Sequence, residues 1–340
     1  MVALGIVGGV VLAGVVAHGA WSTRKAGPKR AEEFRQEPAA GPIEPVLNGQ
    51  PVPATEPLSI RPLLRRSNAR IDALIDAIVP LRLEAPVSAE FALGQLPATR
   101  RAGSKPFLVE GLNADSGEWE PLALGARYGE LQAAVQMANR GGALNEIEFS
   151  EFAQIVQALA EGLGAMAELP DMLDVVARAR ELDAFAGEHD AQLALHLRSR
   201  GSPWSVGFVQ QHAARHGFVA GVVAGRMVLP SSEEGAPPVL VLGYDAQAAL
   251  ADDPNLSAVN DVTLSFDVAQ TDPAQQPLAA WQASAQALAS DMVALVVDDN
   301  GRPRVEPGFA SIATELERLY AALAAHDLAA GSPAARRLFS

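Results

Sequence analysis

The chain has 340 residues, 49% hydrophobic and 19% charged, which is enough apolar material to close one or two compact cores. Its formal net charge of −14 opposes the basic surface that would neutralise phosphates, which excludes nucleic acid as a natural partner. The absence of cysteine excludes disulfides, thiolate nucleophiles and Cys-ligated metals, and leaves six histidines for titrating or metal chemistry.

Residues 2–21 carry no charge, and His18 is their one strongly polar side chain. A helix of about 20 residues rises about 30 Å, the thickness of a bilayer's hydrocarbon core. Trp21 falls where an interfacial aromatic is favoured, and Arg24, Lys25, Lys29 and Arg30 follow. A signal peptide cleaved near Ala17-His18-Gly19-Ala20 would carry its positive charge before the apolar run, not after it. The expectation is a transmembrane helix over residues 1–21, with the N-terminus outside and the remainder cytoplasmic. One GxxxG step, Gly5 to Gly9, is compatible with weak self-association.

Residues 22–57 follow as a linker. Between Glu37 and Pro57 six prolines, Pro38, Pro42, Pro45, Pro51, Pro53 and Pro57, are mixed with Ala, Gly, Gln and Glu and show no apolar period. Such a segment buries too little surface to offset its ordering entropy. It spans up to roughly 100 Å at the polyproline rise of about 3.1 Å per residue.

Two stretches then repeat one order of patterns, residues 58–187 and 188–326, before a tail over residues 327–340. In the first, strands are predicted over residues 78–83, 107–112 and 131–137, and helices over 88–96, the Phe152 region and 172–185. In the second, strands are predicted over 191–197, 222–229, 239–243 and 262–268, and helices over 204–216, the Trp281 region and 309–323. Phe152 stands five residues before Gln157-Ala-Leu-Ala, and Trp281 five residues before Gln286-Ala-Leu-Ala. The fold class expected is α+β, with two tandem split β-α-β units whose sheets are largely antiparallel, the first a diverged repeat of the second.

The run Gln286-Ala-Leu-Ala-Ser-Asp-Met-Val-Ala-Leu-Val-Val-Asp298-Asp299-Asn300, followed by Pro307 and an amphipathic helix, resembles the FtsZ-binding domain of the ZipA family of division proteins. Pro238-Val-Leu-Val-Leu242 and Val262-Thr-Leu264 match the family's strands more loosely. The layout of membrane helix, basic cluster, Pro-rich tether and terminal domain is also the family's. Residues 58–187 have no counterpart in it. The resemblance implies an inner-membrane anchor at the division site, with no catalytic activity and no cofactor, whose open sheet face takes the C-terminal peptide of FtsZ.

Alternation alone turns Leu193, Leu195 and Leu197 toward the helices and leaves Gln192, Ala194 and His196 outward. It likewise presents Val239, Val241 and Gly243, and Thr263, Ser265 and Asp267. Carried onto this chain, the family's groove centres on Ala194, Val241, Gly243, Thr263 and Ser265, with Met227 at its edge. The candidate partner-binding residues are therefore Ala194, His196, Met227, Val239, Val241, Gly243, Thr263 and Ser265. In this chain Ser265 stands in place of the family's aromatic, and Asp245 in place of a Met-like residue.

Other chemistry is poorly supported. His212 and His216 are four apart on a predicted helix, but lack the adjacent Glu and a third ligand that a metal site needs. Asp252-Asp253 and Asp298-Asp299 sit beside Pro or Asn, as turn carboxylates do. No GxSxG, Walker loop or dinucleotide fingerprint occurs. The alternative to FtsZ binding is an inner-membrane-anchored α/β interaction module of the cell envelope with another partner.

Overall fold

The structure, a computed structural model, describes residues 71–340 except residue 252 and residues 304–306. The membrane helix and linker expected over residues 1–57 lie outside the described residues, among which no helix is long and apolar enough to cross a membrane. The described chain is α+β, with two six-stranded antiparallel sheets.

In strand β1 (Asp76–Ser88), Ala77, Val79 and Leu81 are buried while Pro80 and Arg82 are exposed, so one face of the strand joins a core. Ser88 ends the strand and caps helix α1 (Ala89–Gln95), its hydroxyl accepting from Phe91 N at 3.3 Å. Strands β2 (Arg101–Ala102), β3 (Lys105–Asn113), β4 (Trp119–Pro121) and β5 (Arg127–Gln136) follow, then a small hairpin of β6 (Ala138–Asn139) and β7 (Gly142–Ala143). Helix α2 (Glu146–Leu163) opens at a capping box, where Asn145 Oδ1 accepts from Glu148 N and Glu148 Oε2 accepts from Asn145 N. Phe152, Val156, Leu159 and Leu163 recur every three or four residues and bury one stripe of α2 in the first core. Gly164, at φ 64°, ends the helix in the left-handed conformation and leads into β8 (Ala165–Ala167) and helix α3 (Met172–His189).

The second unit repeats this plan. It runs β9 (Gln192–Ser199), β10 (Trp204–Ser205), α4 (Val206–Arg215), β11 (Val219–Ala220), β12 (Arg226–Leu229), β13 (Leu240–Gly243), α5 (Ala246–Ala249), β14 (Ala258–Val259), β15 (Asp261–Asp267), α6 (Pro277–Met292), β16 (Ala294–Val297) and α7 (Pro307–Ala325). The first sheet is ordered β2-β3-β5-β1-β8, and the second β12-β13-β15-β9-β16 with β11 added outside β12. The register of the inner strands agrees, β3-β5-β1-β8 with β13-β15-β9-β16. Leu81 lies between Leu131 and Ala167, and Leu197 between Val262 and Val296. Ser205 caps α4 by accepting from Phe208 N, as Ser88 does from Phe91 N. Val293 ends α6 at φ 53° where Gly164 ends α2. The two units thus share the order of their inner strands and the form of two helix ends.

Boundaries move in places. The helix expected over residues 204–216 begins as the two-residue strand β10, and the strand expected from residue 222 starts only at Arg226. Residues 327–340, read as a tail, hold helix α8 (Pro333–Leu338), which packs at the junction of the two units. Its Leu338 and the following Phe339 are fully buried with Ile75, Ala138, Ala269 and Leu323. Arg337 donates to both carboxylate oxygens of Asp76 at 2.5 and 2.8 Å, and the Asp76 side chain is wholly buried. Gln136 Nε2 donates to Arg337 O at 2.9 Å, and Gln270 Nε2 donates to Phe339 O. Arg140, in the β6–β7 hairpin, reaches Asp190 at 2.6 Å and Asp267 at 2.5 Å. The C-terminal segment and this ionic cluster therefore join two cores that otherwise close separately.

Candidate functional site

Helices α4, α6 and α7 bury one face of the second sheet, through Val209, Trp281, Leu288 and Leu316 against Leu195, Leu197, Leu242 and Leu264. The other face is uncovered by any described helix. Strand pairing lays its side chains in rows. One row runs Val219, Val228, Val241, Ser265 and Ala194 across β11, β12, β13, β15 and β9. The next runs Arg226, Gly243, Thr263, His196 and Val297. Val228, Val241, Ser265, Ala194, Gly243, Thr263 and His196 are all half-buried, which makes a shallow face of small and β-branched residues.

Six of the eight residues singled out from sequence meet on this face: Ala194, His196, Val241, Gly243, Thr263 and Ser265. Two do not. Met227 pairs with Leu242 and is 5% exposed, so it belongs to the core under the helices; the phase of a four-residue strand after a glycine-rich turn is set by its partner, not by its own pattern. Val239 is 4% exposed and also in the core, because Pro237 and Pro238 have no N–H for a ladder and regular pairing starts only at Leu240. Val228 and Arg226, which the sequence reading missed, take their places. Pairing β12 with β13 in antiparallel register, Val228 opposite Val241, is the signal that finds them.

Polar contacts concentrate at the centre and one end. His196 Nδ1 lies 3.1 Å from Thr263 Oγ1, and His196 Nε2 lies 2.9 Å from Asp299 Oδ1. Both contacts are met when the Thr263 hydroxyl donates to Nδ1 and Nε2–H donates to the carboxylate. Hydroxyl, imidazole and carboxylate stand in the order of a hydrolytic triad. Thr263, however, pairs with Gly243 on one side and His196 on the other, so the surrounding backbone N–H groups are held in ladders and are not aimed at a developing oxyanion. At the end nearer the first unit, Asp267 closes the face through Arg140.

The counterpart face of the first sheet is different. Glu110 stands there opposite Gln132, the pair corresponding to Gly243 and Thr263, and is 3% exposed. It accepts from Ile71 N at 3.0 Å and Gln132 Nε2 at 3.1 Å, so the backbone at Ile71 lies against this face.

The remaining candidates fall elsewhere. His212 is 9% exposed and packs on Phe208 at 4.1 Å between ring centroids, while His216 faces Asp291 at 2.8 Å; the two imidazoles are turned to different neighbours. Asp298 Oδ1 accepts from Asn300 N and Arg302 N, and Asp253 Oδ1 from Asn255 N, which are turn contacts. No protein-family model and no curated protein matches this chain, so the site rests on its own geometry.

Proposed function

We propose that the chain is a membrane-anchored interaction protein of the bacterial division apparatus, whose second sheet binds the C-terminal peptide of FtsZ on its open face and so tethers the septal ring to the inner membrane. The observation that carries this reading is the uncovered row Val228, Val241, Ser265 and Ala194, beside the ZipA-like order of segments in the sequence. The proposed role is binding, not catalysis, and calls for no cofactor and no metal. A free peptide loses conformational entropy on docking, so shallow apolar contact gives affinity on the order of micromolar. Many anchors on one membrane facing a polymer would multiply such weak contacts by avidity.

The test is fluorescence anisotropy of a labelled FtsZ tail peptide against the full chain in detergent. Binding is expected for the wild type and for Asp298→Asn, and loss of binding for Val241→Lys, which puts an unpaired charge in the row. Absence of binding by the wild type at high concentration, or equal binding by Val241→Lys, overturns the reading. A second reading, an envelope module for a different partner, is favoured by the polar Thr263–His196 pair and by Ser265 at the place of an aromatic. Failure of the FtsZ peptide together with Val241-dependent capture of another extended peptide would select it.

A further inference from the structure

Residues 191–232 contain no Asp or Glu, although the chain carries 40 of them, and the same stretch holds Arg198, Arg200, Arg215 and Arg226. It folds into β9, β10, α4, β11 and β12, so a cationic segment lies within a molecule of net charge −14. The β11–β12 hairpin at its margin is uncharged from Gly217 to Gly225. Phe218 and Met227, 2% and 5% exposed, pin the base of the hairpin to the core. Its tip points away: Val223 is 56% exposed and Val222 107%, as open as in an isolated peptide. The turn is held in this shape by Gly225 at φ 77°, where a Cβ would come within 2.6 Å of Tyr244 O.

We infer that this hairpin is a membrane-contact element that inserts Val222 and Val223 into the interface of an anionic phospholipid surface, with the exposed Arg226 at its base facing the phosphates. Aliphatic side chains exposed on a rigid turn leave water when they enter the acyl boundary, and arginine is favoured at the headgroup level. Charge selects the surface. A protein of net charge −14 is repelled by anionic lipid as a whole, so close approach is favourable only through its acid-free stretch. The nearest carboxylate in sequence beyond the paired strand β13, Asp245, is turned to the start of α5, where it accepts from Gln247 N at 2.7 Å. Arg226 also borders the proposed peptide face, whereas Val222 and Val223 lie outside its rows, and the test uses lipid and no peptide.

Because the chain has no cysteine, Val222→Cys gives a single labelling site for an environment-sensitive fluorophore, and Ser116→Cys, at a turn of the first unit, gives the reference. The labelled full chain is placed in vesicles of phosphatidylcholine with or without phosphatidylglycerol, each containing lipid brominated on its acyl chains. The expected result is quenching at position 222 and not at position 116 in the anionic vesicles. At about 1 kcal/mol per basic residue, Arg226 alone predicts insertion about fivefold weaker in neutral vesicles. Adding Val223→Asp to the labelled chain should abolish the quenching. Quenching equal in both vesicle types, equal at both positions, or absent altogether overturns the inference. So does concentration-dependent self-quenching at position 222 without lipid, which would make the hairpin a contact between copies of this chain.

Discussion

Replacing Asp76 with alanine tests whether the C-terminal helix locks the two units together. Asp76 opens β1 and meets Arg337 of α8 across 261 residues of sequence, with its side chain at 0% exposure and that of Arg337 at 13%. Removing one partner of a buried ion pair costs about 3–5 kcal/mol, because the remaining charge stays desolvated. The slight exposure of Arg337 lets it recover some water and favours the lower end of that range. Asp72 N also loses the acceptor it now finds in Asp76 Oδ2 at 2.8 Å, which adds about 1 kcal/mol. The expected total is about 4 kcal/mol, read as a fall in the urea midpoint and as faster hydrogen exchange in α8. Arg82→Ala, which breaks an ion pair to Glu168 with both side chains more than half exposed, should cost less than about 1 kcal/mol. Joint replacement, Asp76→Leu with Arg337→Met, should recover much of the loss, since the pair's worth lies largely in not orphaning a charge. If Asp76→Ala is no more destabilising than Arg82→Ala, the clamp assigned to residues 333–340 is wrong.

Two further predictions concern the helix ends and the buried acid. Val293→Gly should stabilise the chain by about 1 kcal/mol, because a left-handed conformation costs a side chain about 1–2 kcal/mol and glycine gives part of this back as unfolded-state entropy; a lower melting temperature would refute it. Burial raises the Glu148 carboxyl's pKa, but the hydrogen bonds from Ser104 and from Asn145 N, with the charge of Lys105, outweigh it and hold the pKa below the ordinary carboxylate value. A depressed carboxylate contributes stability above its unfolded pKa and loses it as pH falls through the folded one. Urea unfolding of Glu148→Gln should therefore show a deficit at about pH 7 that shrinks toward about pH 3, and a deficit independent of pH would refute the assignment.

Local periodicity made much of this architecture legible in the sequence. Leu193, Leu195 and Leu197 alternate with small and polar residues, and Phe152 and Trp281 hold the same place before a shared Gln-Ala-Leu-Ala. The period of a strand or helix is written in neighbouring residues, so alternation by itself turns Ala194, His196, Val241, Thr263 and Ser265 to one face. Only tertiary contacts decided the phase of β12. Met227 and Val228 are both apolar, and it is the register with Leu242 and Val241 that turns the first inward and the second out. The same holds for Val239 and for α8, whose short Ala-Arg-rich sequence shows no core stripe and is ordered by Asp76 and Gln136 of distant strands and by Gln270 in the turn after β15. How the two sheet faces differ was also invisible in the pattern: the first holds a buried Glu110, bonded to Ile71 N, where the second has Gly243. A strand's alternation names two faces, and only what packs on each decides which one stays open.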